Sequence, residues 1–162
     1  MNKTAAIIIL AVVVAFSTFV WLSSERYDLY FPKGVNAEIF LNLSGKNLSR
    51  IPEYVFSRTE LQELDVSNNK LTGAIQAEIR HLKNLKILRA GNNEMTGVPA
   101  EIGQLQKLEI LDLSNNLLTG LPQELGNLKN LKILNLSGNQ YSQQDLNYIR
   151  SRLPATTQII TK

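Results

Sequence analysis

An internal repeat constrains this chain more than any other feature. Leu61, Leu85, Leu108 and Leu131 open segments that superimpose: LQELDVSNNKLTG, LKILRAGNNEMTG, LEILDLSNNLLTG and LKILNLSGNQYSQ. Their spacings are 24, 23 and 23 residues, and a degenerate copy, EIFLNLSGKNLSR, begins at Glu38. A chain that writes one short pattern five times is expected to stack five similar units, each burying its apolar side against the next.

Within each unit two apolar residues stand two apart, the period of a strand. Leu64/Val66, Leu88/Ala90, Leu111/Leu113 and Leu134/Leu136 therefore face one side, and their neighbours the other. The roughly 18 residues between strands are a crossover, too long for a hairpin, so the strands are expected to be parallel. The return path brings a second apolar set inward: Ile75, Ile79 and Leu82; Val98, Ile102 and Leu105; Leu121, Leu125 and Leu128. Asn69, Asn93, Asn116 and Asn139 recur just past each strand, where turning backbone lacks ladder partners. An amide is both donor and acceptor, so these residues are expected to form a buried structural column. Pro52, Pro99 and Pro122 share one offset on the return path, which predicts an extended segment there. Gln76 departs from this in the copy that carries the extra residue Ala74.

The pattern L-x-x-L-x-L-x-x-N-x-L, extended by tails such as LTGLPQELGNLKN and MTGVPAEIGQLQK, closely resembles the leucine-rich repeat family over residues 38 to about 153. The resemblance implies an α/β solenoid, a right-handed horseshoe with a parallel β-sheet on its concave face. It also implies a protein-interaction scaffold. The repeat domain is expected to span 38–162, with repeats starting at 38, 61, 85, 108 and 131 and a C-terminal cap over 142–162. Glu38, Lys46 and Arg58 break the pattern in the first copy, as a terminal unit with one wet face should. Ser142-Gln143-Gln144-Asp145 starts a helix, Leu146, Ile149 and Leu153 give it an apolar stripe, and Pro154 ends it. Thr156 to Thr161 then falls at the spacing of a sixth strand.

Residues 1–24 read differently. No charge occurs from Thr4 to Ser24, and the 19 residues from Thr4 to Leu22 would span roughly 28 Å as a helix, close to a bilayer core. This predicts an uncleaved signal-anchor, one N-terminal transmembrane helix. The alternative is cleavage after Ala15-Phe16-Ser17 and secretion. Lys3 biases the N-terminus to the cytoplasm and the rest outside. Residues 25–37, with Pro32 and Gly34, read as a juxtamembrane linker.

Zero Cys and one His among 162 residues exclude disulfide frameworks, thiolate nucleophiles and zinc fingers. The net charge is +3 and no basic run interrupts residues 25–162, so no nucleic-acid partner is expected. His81 reads as a solvated residue without an acidic partner in sequence, and Gly73, Gly97 and Gly120 belong to the repeat turn rather than a phosphate loop. No catalytic residue, metal or cofactor is expected. Asn42-Leu-Ser44, Asn47-Leu-Ser49 and Asn135-Leu-Ser137 match the glycosylation acceptor pattern, which is also how this repeat writes a strand end.

Outward strand positions form two columns: Phe40, Glu63, Ile87, Ile110, Ile133, and beside them Asn42, Asp65, Arg89, Asp112, Asn135. Phe40, Glu63, Asp65, Ile87, Arg89, Ile110, Asp112, Ile133 and Asn135 are the candidate partner-binding residues, an apolar strip with a polar rim. Arg89, between Asp65 and Asp112, is the candidate charged anchor. The expected function is a non-catalytic protein- or peptide-binding module of a bacterial envelope, held outside the membrane by the N-terminal helix. A cell-wall or glycan binder is the alternative, and an enzyme a remote third.

Overall fold

Alternation at period two produces three-residue strands in a computed structural model that describes residues 39–162. The expected membrane span, the linker and Glu38 lie outside these residues. In chain order the strands are β1 (Phe40–Asn42), β2 (Glu63–Asp65), β3 (Thr72–Gly73), β4 (Ile87–Arg89), β5 (Glu94–Met95), β6 (Ile110–Asp112), β7 (Ile133–Asn135) and β8 (Gln158–Ile160). β1, β2, β4, β6, β7 and β8 pair in that order into one sheet, every pair parallel. The expected sixth strand is β8, in register Leu134↔Ile159 against β7. β3 and β5 form a small second sheet that the sequence reading did not anticipate.

The two apolar sets meet behind the main sheet. Leu64, Leu88, Leu111 and Leu134 are fully buried from the strand side, as are Ile79, Ile102 and Leu125 from the return side. Val98 is half-buried and packs against this core.

The return path differs in detail from expectation. Pro52, Gln76, Pro99 and Pro122 have extended backbone, and each is followed by a five-residue 3-10 helix: Glu53–Ser57, Ala77–His81, Ala100–Gln104 and Gln123–Asn127. Proline fits because φ is −60°, −72° and −67° at Pro52, Pro99 and Pro122. Gln76 adopts the same backbone, φ −60° and ψ 142°, and its side-chain amide donates to the Ile51 carbonyl. The helical part of the repeats is therefore 3-10. Among the described residues, α-helix occurs only in α1 (Gln143–Arg152), where the Ser142 side chain accepts from the Asp145 N–H. No helix among the described residues is long and apolar enough to cross a membrane.

After each strand the chain turns through a left-handed residue: Asn68, Asn92 and Asn115 at φ 55°, 56° and 51°, and Gly138 at 70°. Asparagine tolerates this region better than other side chains, which explains the first Asn of each Asn-Asn pair. The second Asn turns inward. Asn93 Oδ1 accepts from Leu71 N at 3.0 Å, while its Nδ2 donates to Val66 O and Ala90 O, both at 3.1 Å. Asn116 does the same one unit on, with Met95 N at 3.1 Å and the carbonyls of Ala90 and Leu113 at 3.0 Å. Asn69 and Asn139 make equivalent bonds to their neighbours. One amide thus ties two successive turns together, and no buried side-chain nitrogen or oxygen among the described residues lacks a partner.

Candidate functional site

Parallel pairing without offset aligns the outward residues of successive strands into straight columns. Phe40, Glu63, Ile87, Ile110, Ile133 and Gln158 are consecutive register partners, as are Asn42, Asp65, Arg89, Asp112, Asn135 and Ile160. The structure therefore brings all nine candidate residues onto one open sheet face. It adds Gln158 and Ile160, the outward residues of the expected sixth strand, which the sequence reading did not assign to the two columns. Phe40 is 46% exposed, whereas Ile87, Ile110 and Ile133 are half-buried, each partly covered by its neighbours in the column. Three such isoleucines form a continuous apolar strip about 10 Å long, at the strand spacing of a sheet.

The polar column has two jobs. Asp65 Oδ1 accepts from the Ser67 N–H at 2.9 Å and the Ser67 hydroxyl at 2.7 Å. Asp112 Oδ1 accepts from Ser114 N at 3.0 Å, and Asn135 Oδ1 from Ser137 N at 3.2 Å and Oγ at 2.8 Å. These short side chains satisfy the backbone that leaves the strand, an Asx-type turn. Asn42 and Ser44 repeat it in β1. Two of the three acceptor-pattern asparagines are thus strand-end turn residues.

Arg89 is the exception in its column, because its repeat carries Gly91 where the others have Ser44, Ser67, Ser114 and Ser137. The sequence places Arg89 between Asp65 and Asp112. In the structure its guanidinium instead pairs with the Glu63 carboxylate, diagonally across to the apolar column. The reason is that Asp65 and Asp112 already hold their own turns, while Glu63 is long enough to reach across. Arg89 and Glu63 remain accessible, with 38% and 27% side-chain exposure, so a ligand carboxylate could replace Glu63 at the guanidinium.

One position before the apolar column, Lys132 Nζ lies 2.6 Å from Glu109 Oε2. That hydrogen bond and its charge hold the Glu109 carboxyl below the usual carboxylate range, with Lys86 adding to the effect. His81 is exposed on the return side, beside a shallow depression of about 310 Å³ lined by Arg50, Glu53, Phe56 and Glu78. No group of His, Asp or Glu among the described residues could hold a metal ion. The arrangement can supply apolar contact, one exchangeable ion pair and amide hydrogen bonds.

Comparison with known proteins places this geometry. A family model described as a leucine-rich repeat region matches residues 39–153. Receptor like protein 22 of Arabidopsis thaliana is 41% identical over 76 residues, 47% of this chain and 10% of that protein. A leucine-rich repeat protein of Leptospira interrogans has a similar structure, with TM-score 0.63 and 43% identity over 67% of this chain and 27% of that one. The plant peptide hormone receptor RGFR1, solved in complex with RGF2, matches with TM-score 0.55 and 36% identity over 68% of this chain and 19% of the receptor. The chain thus spans a tenth of the Arabidopsis receptor-like protein and about a quarter of the Leptospira chain.

Proposed function

The chain belongs to the leucine-rich repeat family, and from that premise we propose that it is a non-catalytic module that binds a protein or peptide on its open sheet face, displayed outside the cytoplasmic membrane by its N-terminal segment. The observation that carries this reading is the aligned pair of columns, an isoleucine strip beside a polar row whose Arg89–Glu63 pair is accessible. A rigid sheet presents such a strip without an ordering cost, the condition under which modest apolar area gives useful affinity. The similarity to a peptide hormone receptor solved with its ligand supports a peptide or protein partner. The Leptospira neighbour is a bacterial protein with this repeat fold, whereas the Arabidopsis relative is a plant receptor-like protein.

Ile110→Glu and Arg89→Ala test the surface. In urea titrations Arg89→Ala should leave the unfolding free energy within about 0.5 kcal/mol of the parent, and Ile110→Glu, at a half-buried strand position, should lower it by about 1 kcal/mol with the protein still folded. Both should weaken capture of the envelope protein that the parent retains by on the order of tenfold. His81→Ala, exposed on the return side, is the matched control and should be silent. Loss of capture by the control but not by the sheet-face variants would place binding on the return side. Unfolding by Ile110→Glu would mean that the isoleucine column is core.

Display outside the membrane rests on the uncharged run from Thr4 to Leu22. The full chain should stay with membranes through carbonate extraction. A mature N-terminus at Thr18 would instead show a cleaved signal and a secreted protein.

A further inference from the structure

We propose that the edge of the repeat stack where the chain enters its strands binds a linear polyanion, such as a phosphorylated or sulfated polymer, independently of the open sheet face. Four loops, 81–86, 104–109, 127–132 and 152–157, carry Lys83, Lys86, Lys107, Lys129, Lys132 and Arg152 with Glu109 as their one carboxylate. That is an excess of five positive charges on a chain whose total is +3, so the rest of the chain is net −2. No loop is basic enough to stand out in the sequence. The fold adds them together.

Backbone bonds show that these loops are stacked. Glu109 N donates to Lys86 O, Lys132 N to Glu109 O and Gln158 N to Lys132 O, each at 2.8 Å. Side chains continue the stacking along the same edge: Lys107 Nζ reaches Asn84 Oδ1 at 2.7 Å, Lys83 Nζ reaches Gln104 Oε1 at 3.3 Å, and Asn130 Nδ2 reaches Gln106 O at 2.7 Å. Lys129 Nζ donates to Arg152 O at 2.7 Å. These acceptors are amides and carbonyls. They position the ammonium groups without neutralising them, and among the described residues only Lys132 of this set meets a carboxylate, Glu109.

Successive loops are about 5 Å apart, well inside the Debye length of about 8 Å at physiological salt, so their potentials add. None of the exposed large apolar side chains belongs to these four loops. Ile39 and Tyr148 border the two ends of the row, Ile39 one strand before Gln62 and Lys86 and Tyr148 beneath Arg152. The lysines between them stand without an exposed large apolar neighbour in the loops. A bilayer surface is gripped by cations mixed with apolar or aromatic side chains, whereas a row of cations one loop wide suits a polymer that releases counterions along its length.

The test uses the full chain in phosphatidylcholine nanodiscs, with heparin as the probe and neutral dextran as the blank. Heparin should be bound, dextran not, and the affinity should fall steeply with salt. Lys83→Gln, Lys86→Gln and Lys107→Gln combined should weaken heparin binding at least tenfold. Lys46→Gln, Arg50→Gln and Lys70→Gln combined remove the same charge elsewhere and should change it less than threefold. The triple Lys-to-Arg variant at 83, 86 and 107 keeps the charge and should keep the binding, which separates a charge effect from a folding defect. Equal weakening by the two glutamine triples would overturn the proposal. So would stronger binding to phosphatidylglycerol vesicles than to heparin, which would make the edge a membrane contact.

Discussion

Asn116→Ala is expected to lower stability by about 3 kcal/mol, read as a fall in urea midpoint at unchanged slope. Its amide is buried and serves Met95 N together with the carbonyls of Ala90, Leu113 and Ser114, so truncation strands groups in two repeats at once. The left-handed residue before it holds the turn in place, so little relaxation is available to re-pair them. Lys46→Ala, at the equivalent offset in the first copy and exposed, should stay within about 0.5 kcal/mol of the parent. Similar midpoints for the two variants would show that water enters the turns and replaces the amide.

Gly103→Ala should be comparably damaging, for a steric reason. A β-carbon at Gly103 would press on the Glu124 carbonyl oxygen and lie 2.8 Å from the Glu124 carbonyl carbon, both backbone atoms of the next 3-10 helix. Backbone held at both ends cannot swing aside as a side chain can, so the return segments would have to separate. A cost of about 3 kcal/mol is expected, at the upper end for overpacking. Gly97→Ala is the control: its nearest neighbour, Ala74 Cβ, would be 3.9 Å away. It should be neutral or slightly stabilising through the unfolded chain. Thermal unfolding of both variants decides it, since equal midpoints would mean that the return segments slide freely.

The same offset explains a difference along the stack. Gly103 and Gly126 occupy the position filled by Phe56 and Arg80 in the first two copies. Where glycine stands, the next segment can approach closely: Gly126 would meet Arg152 Cβ at 2.8 Å if it carried a β-carbon. Where Phe56 stands, its buried ring occupies that space, and the shallow depression beside His81 opens between the first two return segments.

Strand phase, the six parallel strands of the main sheet and the inward sides of the return path were legible in the sequence. They depend on periods of two and about 23 residues, and a periodic burial pattern is written locally in side-chain polarity. The outward columns follow from the same phase, so Ile87, Ile110 and Ile133 could be placed without coordinates. The cap helix was equally legible, because Ser142 and Pro154 are local start and stop signals. Besides the small β3–β5 sheet, three features came only from the tertiary structure. Arg89 pairs with Glu63 rather than Asp65 or Asp112, because the turns had already claimed those carboxylates and side-chain reach is a property of three dimensions. The return helices are 3-10, a choice between closely related local geometries that proline and leucine spacing do not separate. The basic edge arises from one or two lysines per loop in residues some 23 positions apart. Charge acts through space within a Debye length, so only stacking the loops turns an unremarkable sequence distribution into a continuous positive row.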